Sequence, residues 1–154
     1  SACSSNFASN PDHFRDQGEL PMIQETIVRL KIISGTRSPE MITEAIGLQC
    51  DKWWHYGDKR EHTIIVEKNN GWVLHSGLPR TASLDEHIDA LWRILEPVKA
   101  KIRCLASTEL VELSCVIYSS FSPALYFECS VINRLAELGA GMDIDLYRLP
   151  DDKQ

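Results

Sequence analysis

The sequence predicts an α+β fold of ferredoxin-like type, a mostly antiparallel sheet of about five strands with helices packed on one face. Three observations predict it. Residues 109–148 read as strand, helix and strand. Residues 26–47 repeat the start of that pattern, an alternating strand, a Ser-Pro helix start and a glycine stop. Between the two stand a hairpin signal and the longest helical stripe. A doubly wound parallel sheet is the competing architecture, and the hairpin opposes it.

Each element has a local cause. Val28, Leu30 and Ile32 alternate with Arg29 and Lys31, the pattern of a half-buried strand over residues 26–34. Ser38 and Pro39 then supply an N-cap and first helical residue, Met41, Ile42, Ala45 and Ile46 recur at helical spacing, and Gly47 closes the turn. Residues 48–56 read as a weak strand or loop. Residues 61–68 and 72–76 flank Asn69-Asn70-Gly71, whose Asn-Gly pair suits a tight hairpin turn. Ser83 and Glu86 form a capping box ahead of a stripe through Leu84, Ile88, Leu91, Leu95, Val98, Ile102 and Leu105, which Pro97 should kink or split near Glu96. Val111, Leu113, Cys115 and Ile117 make the next strand. Ser122-Pro123 is read as the start of the last helix, with Leu125, Val131, Ile132, Leu135 and Leu138 facing the sheet before Gly139. Met142, Ile144 and Leu146 form the last strand's buried face, leaving Asp143, Asp145 and Tyr147 opposite.

A chain of 154 residues suits one domain with a sizeable core. Residues 1–21 are rich in Ser, Asn, Asp and Pro without periodicity and read as a flexible leader. The single domain spans 22–150 and a short tail 151–154. Met22 is the expected natural start, with the leader added upstream. The 16 basic and 22 acidic residues give a net charge of -6, which opposes binding to nucleic acid or anionic lipid and suits a basic partner or a cation. No apolar run reaches membrane-spanning length, and no secretory signal appears, so the expected location is cytoplasmic. Cys3, Cys50, Cys104, Cys115 and Cys129 include no C-x-x-C pair and read as buried free thiols.

Several pieces in fixed order carry a resemblance: Ser38-Pro39-Glu40, Ile46-Gly47-Leu48, Gly57-Asp58, Gly71-Trp72, the helix over 84–97, the strand over 111–119, Leu138-Gly139-Ala140 and Asp143-Ile144-Asp145-Leu146-Tyr147. Over residues 23–150 the chain resembles a bacterial family known as domain of unknown function 4279. The resemblance implies a small intracellular bacterial protein without an established activity, and it brings no catalytic residue with it.

Two places have the composition of a site. Residues 51–60 combine Trp53, Trp54, His55, Asp58, Lys59 and Arg60; adjacent aromatics among charges suit an interface hot spot or a clamp on an anionic or aromatic ligand. A tryptophan plugging the core edge is the plainer reading. On the last strand Asp143 and Asp145 share a face with Tyr147, close enough for one carboxyl to be raised or a cation held. Charge pairing with Arg29 and Lys31 across neighbouring strands explains the same residues without a ligand. His62 and His75 would make a two-nitrogen metal corner if they faced each other across the hairpin, but spacing places no third ligand. Ser119-Ser120-Phe121-Ser122 at a helix start suits a small anion, or capping alone.

No nucleophile elbow, triad or phosphate loop occurs, which favours a non-catalytic role and implies no cofactor. The expected function is a binding module docking a protein partner, immunity-type among the options, through residues 53–60 or the sheet face. The alternative is a small-molecule or enzymatic site on the open sheet face, lined by Asp143, Asp145, Tyr147 and an imidazole. A second copy of the chain is the other occupant that face suits.

Overall fold

The computed structural model describes residues 22–150; the expected leader and tail lie outside the described residues. The elements follow as β1 (Gln24–Ser34), α1 (Pro39–Ile46), β2 (Lys52–Trp54), β3 (Asn70–His75), α2 (Leu84–Leu95), a 3-10 turn (Glu96–Val98), α3 (Lys99–Ala106), β4 (Leu110–Ser119), α4 (Cys129–Leu138) and β5 (Gly141–Arg148). The five strands form one sheet in the order β2-β3-β1-β4-β5. Three neighbouring pairs are antiparallel, and β4 with β5 is parallel. The fold class is α+β, with a mixed sheet.

Strand alternation sorts the side chains. Leu30 lies opposite Leu74 on one side and Leu113 on the other, and Ile32 opposite Trp72 and Val111, so one face of the sheet is continuous apolar surface. That face packs against Ile42 and Ile46 of α1, Ile88, Leu91 and Leu95 of α2, Ile102 and Leu105 of α3, and Val131 and Leu138 of α4. All four helices therefore cover the same face. Trp72 is fully buried among them and donates its indole N–H to Thr43 Oγ1 at 3.0 Å, which joins β3 to α1. Val73 of β3 and Val116 of β4 are also buried, on the other face.

The helix signals act as read. Ser38 Oγ accepts from Met41 N, and Gly47 ends α1 in the left-handed region. Ser83 and Glu86 close both halves of the capping box. Pro97 splits the long stripe through a 3-10 turn, as its missing N–H requires.

Three expectations are corrected. The Asn-Gly pair lies inside the start of β3 rather than at a tight turn, and β3 pairs with Lys52–Trp54 instead of residues 61–68. The hairpin joins β2 to β3 through a long connection over residues 55–69. The last helix begins at Cys129, leaving Ser122-Pro123 in irregular chain. The cause is geometric. β4 and β5 are parallel over Glu112–Ser119, so the chain must travel back along about 26 Å of strand. A helix of 10 residues covers only about 15 Å, and the irregular stretch before it supplies the rest. Ile132 is consequently turned outward, and Leu125 lies ahead of the helix. Finally, Leu146 is exposed because β5 is an edge strand at the end of the sheet. No helix among the described residues is long and apolar enough to cross a membrane.

His87, on the first turns of α2, is 1% exposed. Burial holds its imidazole below the usual 6.5, outweighing the favourable charge of Glu86 and the backbone of Pro79 and Thr26. The unfolded chain takes up this proton near 6.5 while the folded chain resists it to lower pH, so the unfolded state binds more protons in between. The melting temperature is expected to be level above about pH 7 and to fall as pH drops below about 6.5. Scanning calorimetry across pH 5–8, repeated with His87→Gln, checks this: the variant should show the shallower fall.

Candidate functional site

β2 contributes the two adjacent tryptophans, and alternation sends them to opposite faces. Trp53 lies opposite Trp72 but at the sheet's edge, where it is 56% exposed. It stands over a shallow cleft of about 300 Å3 shared with Pro39, Glu40, Thr43 and Cys50. Trp54 lies opposite Gly71, and its indole covers that backbone: a Cβ at Gly71 would meet a ring carbon at 2.0 Å. One tryptophan is exposed at the sheet's edge and the other covers the sheet.

Beyond Trp54 the chain forms a finger over residues 55–69. Its root is tied by Asp58, whose carboxylate accepts from His55 N at 2.8 Å, and by Asn70, whose amide oxygen accepts from Tyr56 N at 2.9 Å. His55 Nε2 lies 2.9 and 3.0 Å from the two Glu40 oxygens, joining the finger to the start of α1. The Glu40 carboxyl is held below its usual range by its own backbone N–H first and by His55 second. Further out, Gly57 N donates to Glu67 O, Glu67 N to Asp58 O and Arg60 N to Ile65 O, around a bridge between Lys59 and Val66. Arg60 grips Glu67 with both ends of its fork, at 2.6 and 3.4 Å. The tip turns at His62, which adopts a φ of 59°.

This bracing uses part of the polar groups and leaves the apolar ones exposed. His55, Asp58 and Arg60 each hold the finger together, whereas Tyr56 is 71% and Ile64 95% exposed, with Ile65 and Val66 about half exposed. The sequence reading placed Ile64, Ile65 and Val66 in a paired strand and so missed them. Their signal was present: three consecutive large apolar residues with no facing strand of matching pattern.

Asp143, Asp145 and Tyr147 are exposed on β5, on the sheet face away from the helices. Tyr147 stacks on Tyr118 of β4, with ring centroids 5.2 Å apart and planes at 21°. The expected pairing of the two aspartates with Arg29 and Lys31 does not form, because β4 separates β1 from β5. Lys31 pairs instead with Glu112 at 3.7 Å, and Arg29 donates to Ser114 at 3.4 Å. β2 and β5 are the two edges of the sheet, about 19 Å apart at the usual strand spacing. The two candidate clusters are separate surfaces.

A family model described as domain of unknown function (DUF4279) matches residues 24–149. The chain belongs to the DUF4279 family. Neither the comparison with curated proteins nor that with solved structures gave a match.

The matched span of this DUF4279 domain includes all ten elements, from β1 to β5. Within it, no three His, Cys, Asp or Glu side chains among the described residues are placed to hold a metal ion. His62 and His75 do not face each other, since His62 is at the finger's tip and His75 lies opposite Arg29 in the sheet. The serines at the end of β4 are occupied by backbone: Ser119 Oγ accepts from Phe121 N, and Ser120 Oγ accepts from Ile23 N. The described cysteines of the DUF4279 domain are free, but only Cys115 is fully buried, and burial pushes its thiol up to about 12. Cys104 and Cys129 are exposed, contrary to the expectation of buried thiols.

Proposed function

We propose that this protein is a non-catalytic docking module whose finger, residues 55–69, inserts into an apolar groove on a basic protein partner. The observation that supports this reading is a loop braced by its own hydrogen bonds while its large apolar side chains point outward, with Ile64 95% exposed. A solvated loop has no internal need for that arrangement, and exposed apolar clusters of this kind mark binding surfaces. Fully burying an isoleucine contributes roughly 1.5–3 kcal/mol, and a loop already ordered loses little entropy on docking. The net charge of -6 supports a basic partner through faster, oriented encounter. Free thiols throughout the described residues support a reducing, cytoplasmic setting.

The test is capture from the native host with Ile64→Asp plus Ile65→Asp. Partner recovery is expected to fall about thirtyfold or more, the scale of a ~2 kcal/mol hot spot, with the melting temperature unchanged. Trp53→Ala is the companion variant on the cleft beside α1. Recovery of the same partner by the double variant at wild-type yield would refute the finger's role.

The Tyr118–Tyr147 stack supports a second reading, in which the open sheet face receives a second copy of the chain or a small molecule. Sedimentation of wild type against Tyr147→Asp separates the two: a dimer lost in the variant points to a copy, and a monomer throughout leaves the small molecule.

A further inference from the structure

The sheet face away from the helices is divided by charge. Alternation turns Arg29 and Lys31 of β1 and Lys52 of β2 to that face, together with Glu112 of β4 and Asp143 and Asp145 of β5. In the strand order β2-β3-β1-β4-β5 the cations therefore occupy one half and the acids the other. Glu25 is the exception; it lies at the end of β1 and pairs with Arg80 at 3.5 Å. Apolar pairs stand among the charges, Ile33 beside Leu110 and Ile27 beside Val116, and Leu110 is 56% exposed.

A face of this kind is complementary to itself. A partner of one sign would meet its own charge on one of the two halves, whereas a second copy can set basic half on acidic half twice over. Charge also selects the twofold axis. An axis across the strands would lay the basic half on the basic half, and an axis along β1 would bring Arg29 against Arg29. An axis along the strands between β1 and β4 instead places β1 of one copy over β4 of the other at the heights of their register within the chain. Ile33 then faces Leu110, Lys31 faces Glu112 and Ile27 faces Val116 of the second copy. By the same geometry β3 lies over β5, with His75 facing Asp143. Lys31 and Glu112 already pair within the chain at 3.7 Å and keep some exposed surface, so two copies would join four alternating charges.

We infer that the open face pairs with a second copy of this chain in a twofold dimer whose axis runs along the strands between β1 and β4. Four strands of each copy overlap, roughly 19 by 26 Å or about 500 Å2 a side before side-chain relief is counted, which brings the pair to the ~1,000 Å2 expected of a specific interface. Near-parallel strands in the two copies also suit the aligned packing that twisted sheets adopt face to face. The dimer rests on the open-face reading, in its second-copy form, and is independent of what the finger docks.

The experiment is sedimentation velocity of the full chain at about 100 µM, where a dimer with a Kd of ~10 µM is mostly formed. Wild type is expected to sediment as a dimer. Arg29→Glu with Lys31→Glu makes both halves acidic, and Glu112→Lys with Asp143→Lys makes both halves basic. Each double variant alone should dimerise about a hundredfold more weakly or worse, and an equal mixture of the two should regain the wild-type dimer, because each altered half again faces its opposite. Circular dichroism checks that both are folded. If either is not, Asp143→Lys alone, at an exposed position on the edge strand, takes its place and should weaken the dimer about tenfold. A wild-type monomer overturns the inference and leaves the face to a small molecule. A dimer lost in Tyr147→Asp but unchanged by the charge variants, or not regained on mixing, keeps the face as the interface and overturns this arrangement of the copies.

Discussion

Replacing Trp72 by alanine is expected to lower the unfolding free energy by about 3–5 kcal/mol, the range for deleting a large aromatic from a packed core. Trp72 is fully buried, pairs with Ile32 in the sheet and donates to Thr43 on α1. Its removal opens a void between β3 and the helices and leaves the Thr43 hydroxyl without its donor. Urea titration followed by circular dichroism measures the loss. Trp72→Phe retains most of the volume but not the N–H, and should cost only a fraction of that, since a single hydrogen bond contributes about 1 kcal/mol. Equal losses for the two variants would show that packing is not the main contribution of this side chain.

Gly71→Ala should destabilise by about 1–3 kcal/mol, the usual cost of forcing an atom into filled space. The new methyl would occupy the position of the Trp54 indole, so the ring must leave the sheet and enter water. Tryptophan fluorescence should move to longer wavelength in the variant. The specific expectation is coupling: in a Trp54→Ala background the same methyl meets no ring, and most of its cost should vanish. A double-mutant cycle by urea denaturation reads the coupling directly, and additive losses would contradict it. Because Trp54 is needed to cover Gly71, Trp53 is the tryptophan whose substitution tests binding without disturbing the sheet.

Signals that act over a few residues were legible. Ser38, the Ser83–Glu86 box, Gly47 and Gly139 satisfy backbone groups within one turn of themselves, and each ends or begins a helix as read. Strand alternation likewise reported its own face in β1 and β4. Signals that depend on distant chain were not. Ser122-Pro123 carries the same cap chemistry as Ser38-Pro39, but the return distance along β4 overrides it. Asn70-Gly71 has turn chemistry, yet Gly71 serves to admit the Trp54 ring. The candidate site follows the same division. The tryptophans stood out by composition, whereas the use of Asp58 and Arg60 as braces depends on His55 and Glu67 being brought alongside. Nothing in the spacing of His87 shows that Ser76 is brought against its ring.

The position of β1 has a consequence for the order in which the chain is assembled. It is the earliest of the described elements and also the middle strand, with β3 on one side and β4 on the other. One of its contacts, Arg29 with Ser114, joins residues 85 apart. During synthesis β1 emerges with both edges unpaired and waits for most of the domain before its second neighbour exists. Its Val28, Leu30 and Ile32 stay open to other chains for that time, and the cationic Arg29 and Lys31 set between them discourage such pairing until β4 arrives.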